Sequence, residues 1–367
     1  MEDRTVFQCS FGDGYAGSAR MALYGCTQLA KRGYDVTLFA SQNSLTAERA
    51  QNEGTKTIVI DTSRPFDEIV RDVSREFERH APRYFISYHS LDRKVSRAIR
   101  SVHGKTFFNI ADRQNISQSF PIIGSFLYNM YFDYLIACSD GVARSLYRSG
   151  ILKRKVRVIY NAIDVPGNIQ TIAGNNIRRS FNIDSKIVLG VSAWFHKKRK
   201  GFDILFNAFK ELDDRFVLLI VGIPESDQPR VLAYASEFTI AADRIVMPGY
   251  VSNIWEFYKA MDIFLLPSRS EGFSLALLEA AAARRPIVAS NIPGTNEFLC
   301  HEENGILFDV MKPRELSAGI KTFVAEPAFA QACADRAMRR VGEKHTIDKY
   351  GDNLASFLDE ISAIPVR

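Results

Sequence analysis

Apolar residues along this 367-residue chain come in short runs, separated by longer stretches of helical spacing, and the alternation repeats from one end to the other. Runs at 5–10, 35–40, 57–61, 84–88, 105–110, 134–138 and 156–160 are too short for helices and rich in β-branched and aromatic residues, which predicts buried strands. Between them, 18–31, 66–80, 90–103 and 139–148 space their apolar positions by three and four, which predicts helices. The pattern restarts beyond the Pro166-Gly167 punctuation. Strands are expected at 186–193, 216–222, 262–267 and 286–290 and a strand and turn at 244–251, with helices from Phe202, near 252–260, 312–325 and 328–343, and at about 346–361. Repeated βα units of this kind predict an α/β protein with two doubly wound parallel sheets.

The stretch Ser268–Ala283 carries the most specific chemistry. Leu275, Leu278 and Ala282 predict one helix between the strands at 262–267 and 286–290, with Ser270 as N-cap and the Glu271 carboxylate in the first turn. Backbone N–H groups near Gly272, Phe273, Ser274 and Leu275 then face the crevice beyond the strand's carboxyl end, where an anion is held. Glu279 lies eight residues after Glu271, an angular offset of roughly 80° on a helix, so both carboxylates can border that crevice. Carboxylates accept from vicinal hydroxyls, and a pair of them around an anion site suits a sugar–diphosphate–ribose ligand. A glutamate in a first turn is more often a surface residue complementing the dipole. The basic run Lys197, Lys198, Arg199 and Lys200, closed by Gly201, follows the strand at 186–193; it is either a solvated loop or a cradle for that diphosphate.

Gly12, Gly14 and Gly17 match the G-x-G-x-x-G dinucleotide fingerprint. The second strand ends in Ser41-Gln42-Asn43, without the acid that a dinucleotide's ribose requires, which argues against NAD.

Glu271-Gly-Phe-Ser-Leu-Ala-Leu-Leu-Glu279, followed by Pro286-Ile-Val-Ala-Ser and Gly294-Thr-Asn-Glu297, resembles the donor-site signature of family-four retaining glycosyltransferases of GT-B fold. The resemblance implies two Rossmann-like domains facing across a cleft, at 1–163 and 164–345, with a crossover helix in about 346–367 returning to the first. It implies a nucleotide diphosphate sugar as donor, a glycan or lipid-linked acceptor hydroxyl, and no metal or other cofactor; the chain has no DxD triad. By the same resemblance Glu271 contacts the donor sugar, Gly272, Phe273, Ser274 and Leu275 present N–H groups to sugar and diphosphate, and Glu279 holds the ribose. Arg199 and Lys200 meet the diphosphate, Tyr250 and Val251 border the base, Gly14 and Gly17 approach the phosphates, and Asn161 marks the interdomain connection. Many relatives carry a histidine at the end of the strand read at 105–110, where this chain has Ala111; Asp112 or Asn109 is the candidate for that catalytic role. A catalytically silent nucleotide-sugar or glycan-binding module, a sugar-nucleotide epimerase and a phosphorylase are the rival readings.

Composition narrows the setting. With 46% hydrophobic residues the chain can fill two ordinary cores. Five cysteines, at 9, 26, 138, 300 and 333, form no CxxC pair, which fits reduced thiols. No basic leader precedes an apolar run and no segment is long enough to span a bilayer, so a cytosolic protein is expected, at most peripheral on the inner membrane face. Residues 1–165 carry a net charge of +6 and the remainder −1, without a nucleic-acid motif. An anionic membrane surface is the partner this asymmetry favours. In the 90–103 helix Leu91, Val95, Ala98 and Val102 form an apolar stripe and Arg93, Arg97 and Arg100 lie on the other side, as a solvated face or a lipid contact. The aromatic segment 120–132 reads as either a core helix or a wall for a lipid-linked acceptor.

Overall fold

The computed structural model describes residues 4–12, 14, 17–113 and 122–364. The chain forms two compact units, Met1–Ala162 with Ile347–Arg367, and Ile163–Thr346.

In the first unit the strands are β1 (Thr5–Ser10), β2 (Asp35–Ser41), β3 (Thr57–Ile60), β4 (Tyr84–Ser87), β5 (Phe108–Arg113), β6 (Tyr134–Ala137) and β7 (Val156–Val158). They form one parallel sheet in the order β3-β2-β1-β4-β5-β6-β7. The intervening helices are α1 (Gly17–Ala30), α2 (Leu45–Asn52), α3 (Phe66–His80), α4 (Ser90–His103), α5 (Ile122–Tyr131) and α6 (Asp140–Arg148). One face buries a ring cluster of Phe7, Phe39, Phe77, Phe85 and Phe107, which meet edge to face.

The second unit opens with α7 (Asn175–Ser180) and carries β8 (Ile187–Ser192), α8 (Phe202–Phe209), β9 (Phe216–Val221), α9 (Gln228–Ser236) and β10 (Ile245–Val246). It continues with α10 (Ile254–Ala260), β11 (Ile263–Leu266), α11 (Leu275–Ala282), β12 (Ile287–Ser290), β13 (Ile306–Phe308), α12 (Pro313–Ala325) and α13 (Pro327–Lys344). Its six parallel strands run β10-β9-β8-β11-β12-β13. The final helix, α14 (Ile347–Ser362), belongs to the first unit, where Arg32 pairs with Asp352 and Tyr34 donates to Asp359 at 2.6 Å.

Both sheets reverse their strand order once, at β1/β4 and at β8/β11, so the loops at those carboxyl ends splay apart and leave a crevice. Three helices escape the periodicity reading: α2, α7 and α9. Two had local signals, since Ser44 caps α2 by accepting from Ala47 N, and Pro229 sits in the first turn of α9.

In the first unit one strand boundary and one helix face differ from expectation. β5 runs Phe108–Arg113 and pairs Tyr84 with Phe108, because Lys105 and Thr106 fall in a turn rather than in the strand. Ala111 and Asp112 therefore lie within β5 instead of at its end. In α4 the buried face is Asp92, Val95, Ser96, Ile99 and Arg100, which leaves Leu91 and Ala98 half-buried and Val102 exposed. Arg100 is thus not on the solvated side. Its Nη2 donates to both Asp133 oxygens at 2.8 and 2.9 Å, its side chain is 5% exposed, and burial pushes the Asp133 carboxyl above its ordinary range. Among the described residues no helix is long and apolar enough to cross a membrane.

Arg100→Met strands a half-buried carboxylate and should cost about 3 kcal/mol, read from the urea midpoint. Adding Asp133→Leu should recover much of that loss.

Candidate functional site

The crevice of the second sheet is built by two loops, 193–201 after β8 and 267–274 after β11. Their backbones touch. Gly201 has φ +68°, and a Cβ there would stand 1.9 Å from the Pro267 carbonyl oxygen, so only glycine fits this crossing. The loops are also tied by Arg269, whose N donates to Arg199 O at 2.9 Å and whose guanidinium grips Asp203 at 2.5 and 2.9 Å. Lys198 Nζ joins the same carboxylate at 2.8 Å. Burial pushes the Asp203 carboxyl up, but the hydrogen bonds from Arg269 and Lys198 outweigh it and hold the group below its ordinary value.

This clamp sets Lys200 Nζ 2.8 Å from Glu271 Oε1, with side chains only 14% and 9% exposed. A cation and a carboxylate held together under such burial pay a desolvation cost that the pair alone seldom recovers. Behind Glu271 the turn at Gly294 packs so closely that a Cβ would lie 2.2 Å from Gly272 O, and Gly294 N donates to Glu297 Oε1.

The helix beyond begins later than expected. Ser274, not Ser270, is the N-cap, its Oγ accepting from Leu277 N, so α11 starts at Leu275 and Glu271 stands in the preceding loop. The carboxylates of Glu271 and Glu279 are consequently related by loop geometry, not by one helix's periodicity. Glu279 is 3% exposed and accepts from Tyr258 Oη at 2.8 Å. Phe273 is buried with its ring 5.0 Å from that of His345. Gly272 is buried and Ser274 half-buried. Arg199 lies over the Trp194 ring at 5.9 Å; β10 takes up only Ile245–Val246 of the stretch at 244–251, and in the loop after it Tyr250 is 78% exposed beside half-buried Val251.

The first sheet's crevice is held by one buried carboxylate. Asp92 accepts from Phe11 N at 2.9 Å, Tyr88 N at 3.1 Å and His89 N at 2.7 Å, joining the end of β1 to the start of α4. His89 faces Gly12 and Ser18, with Nδ1 3.3 Å from Ser18 Oγ. Burial is the main reason its imidazole sits below the usual value. Gly14 is exposed and Gly17 opens α1, while Asp13, Tyr15 and Ala16 lie outside the described residues. Asp112 is 1% exposed, and its charge bears on the buried phenols of Tyr88 and Tyr350; Asn161 is likewise buried.

The structure thus brings Lys200, Arg199, Glu271, Gly272 and Phe273 to one crevice and places Glu279 against Tyr258 on α10. Sequence reasoning missed Arg269, Asp203, Tyr258, His345 and Asp92. Only Asp92 had a local signal, an acid at the third position of a helix where it can cap.

Residues 175–340 match the family described as Glycosyl transferases group 1, and residues 15–165 match Glycosyltransferase Family 4. Among curated relatives, the O-antigen biosynthesis glycosyltransferase WclY of Escherichia coli is 27% identical over 60% of this chain and 60% of its own. The lipopolysaccharide core biosynthesis mannosyltransferase LpcC of Rhizobium leguminosarum is 26% identical over 63% of this chain and 67% of its own. The chain spans 51% to 67% of the length of the first curated relatives it matches. Anabaena HepE, solved in complex with UDP and glucose, superposes with a TM-score of 0.86 at 16% identity, over 97% of this chain and 100% of its own. That likeness establishes the shared fold.

Gly201→Ala combines a left-handed backbone with a backbone clash and should cost about 3 kcal/mol or more, measured by chemical denaturation. A depressed folded-state value means that Asp203 adds stability above the ordinary carboxyl value of about 4 and loses it as pH falls through the lowered one. The melting-temperature gap between the native protein and Asp203→Asn should therefore close on acidification.

Proposed function

The chain belongs to the family-four, group 1 glycosyltransferases of GT-B fold, and on that premise we propose that it transfers a hexose-type sugar from a nucleotide diphosphate to an acceptor hydroxyl with retention. The observation that carries this reading is the Lys200–Glu271 pair, held at 2.8 Å at the carboxyl end of the switch-point strands. A diphosphate entering there gives Lys200 an anionic partner and releases the Glu271 carboxylate to accept from sugar hydroxyls. The exchange offsets the cost of the buried pair.

In the reaction the anomeric carbon's bond to the β-phosphate oxygen breaks and its bond to the acceptor oxygen forms on the same face. The acceptor's proton passes to the departing phosphate. Lys200, Arg199 and the N–H groups at Gly272 to Leu275 oppose charge growing on that phosphate, and Glu271 positions the sugar. Glu279, oriented by Tyr258, takes the ribose hydroxyls, and Tyr250 and Val251 border the base.

A glycan or lipid-linked acceptor of the cell envelope is supported by the relatives WclY and LpcC, named for O-antigen and lipopolysaccharide core biosynthesis. Such an acceptor places the enzyme at the inner face of the membrane. HepE's UDP makes uridine diphosphate sugars the first donors to test.

UDP-, GDP-, TDP- and ADP-sugars are screened for thermal stabilisation and slow hydrolysis. One donor should be both bound and turned over, and Lys200→Ala should lower turnover by about 100-fold or more, the scale of losing one charge-stabilising donor. Glu279→Ala should abolish the thermal shift. Stabilisation without turnover, even with acceptor glycans present, would favour a silent binding module; no binding to a folded protein would remove the donor-site assignment.

A further inference from the structure

The chain passes between the two units twice, at Ala162–Ile163 and at Thr346–Ile347. On the second unit's side the two passages pair with each other: Ile163 N donates to His345 O at 3.0 Å, and Ile163 and Thr346 form an isolated parallel bridge. His345 is also where α13 stops, its own N donating to Val341 O at 2.8 Å. Its backbone is held by both bonds and the residue is only 5% exposed, so its ring is turned inward.

The ring reaches the back of the candidate donor loop. It lies 5.0 Å from the Phe273 ring at 36° and 5.5 Å from the Phe298 ring at 70°. Between Glu271 and α11 the loop consists of Gly272, Phe273 and Ser274. Gly272 has no side chain and Ser274 uses its hydroxyl to cap Leu277 N, so Phe273 is the residue that can anchor the loop from behind. Phe298 follows the Gly294 turn that presses on Gly272. Earlier on α13, Arg340 Nη2 donates to Glu297 O at 2.9 Å, and Glu297 Oε1 accepts from Gly294 N at 3.1 Å. The end of α13 thus braces the loop twice, through His345 on Phe273 and through Arg340 on the Glu297 turn.

Contact between two rings restrains the tilt as well as the place of Phe273, which a flexible aliphatic chain does not. The backbone amides on either side of Phe273 move with it. We propose that His345 is a positioning residue for the donor site: its ring seats Phe273 and thereby aims the N–H groups from Gly272 to Leu275 at the diphosphate. The inference rests on the donor reading of this crevice and adds to it a residue that acts through Phe273 and not on the substrate. A ring that merely filled the core would matter for stability alone. A positioning ring matters for the loop's amides and for donor affinity.

The test titrates UDP, GDP, TDP and ADP into the full chain by calorimetry, well below the melting temperature of each variant. For the nucleotide that the native protein binds, His345→Ala should raise Kd about tenfold, inside the ~100-fold that a misplacement of about 1 Å can cost. His345→Phe keeps a ring and should stay within about twofold of native. Phe323→Ala removes a similarly buried ring on α12; it should lower the melting temperature and leave Kd unchanged. In the ligand-free protein, His345→Ala should speed hydrogen exchange across 271–278 and leave β9 as it was. His345→Leu takes the place of alanine if the cavity prevents folding, with the same directions expected. An unchanged Kd, an unchanged loop exchange, failure of His345→Phe to restore them, or an equal affinity loss in Phe323→Ala would each overturn the proposal while leaving the donor reading in place. A native protein that binds none of the four nucleotides would overturn both.

Discussion

One backbone crossing holds the second domain's crevice in shape. Gly201 rests against the carbonyl of Pro267, a contact no side chain permits, and it is the reason two loops from strands on either side of the switch point can share one small volume. Without that approach Lys200 would ride on a solvated basic loop. With it, Lys200 is nearly enclosed and its charge is answered by Glu271. The second close approach, Gly294 against Gly272, fixes the other side of the same loop. Glycine is required at both places for room as well as for its positive φ.

The electrostatics follow from that enclosure. Arg269 and Asp203 form a bidentate pair, and the hydrogen bonds there outweigh the cost of burial. The Lys200–Glu271 contact is a single bond at greater depth. A buried pair of that kind is weak evidence for stability. The first domain solves its own loop problem differently. Asp92 gathers three backbone N–H groups in the interior, and burial raises its carboxyl even so. Its role there is to hold the loop after β1, and with it Gly12 and His89, in a single arrangement.

The rotation of α4 links the interior of the first domain to its surface. Burying Ser96 against Asn109 and Arg100 against Asp133 commits polar side chains to the inward face. Val102 lies outside that inward face and is 63% exposed. Buried polar groups beside Val95 and Ile99 and an exposed Val102 thus occur on one helix.

Much of the fold was legible in the sequence because parallel strands buried on both faces leave short, dense apolar runs that local pattern alone reveals. The Ser268–Ala283 stretch likewise announced its chemistry, since a strand, a small-residue loop, two spaced carboxylates and a helix are all local features. The sequence by itself determined the alternation of strands and helices, the family, and Lys200, Glu271 and Glu279 as the residues to examine. Only the tertiary structure decided that Ser274 rather than Ser270 caps α11, that Asp112 lies within β5 and not past it, and that Arg100 faces inward. The last two of those outcomes turn on a partner far away in sequence: the strand register set by Tyr84 for β5, and Asp133 for Arg100. Tyr258 behind Glu279 and Arg269 across Asp203 were invisible for the same reason. Periodicity reports which residues prefer to be buried, whereas long-range pairing decides what they are buried against.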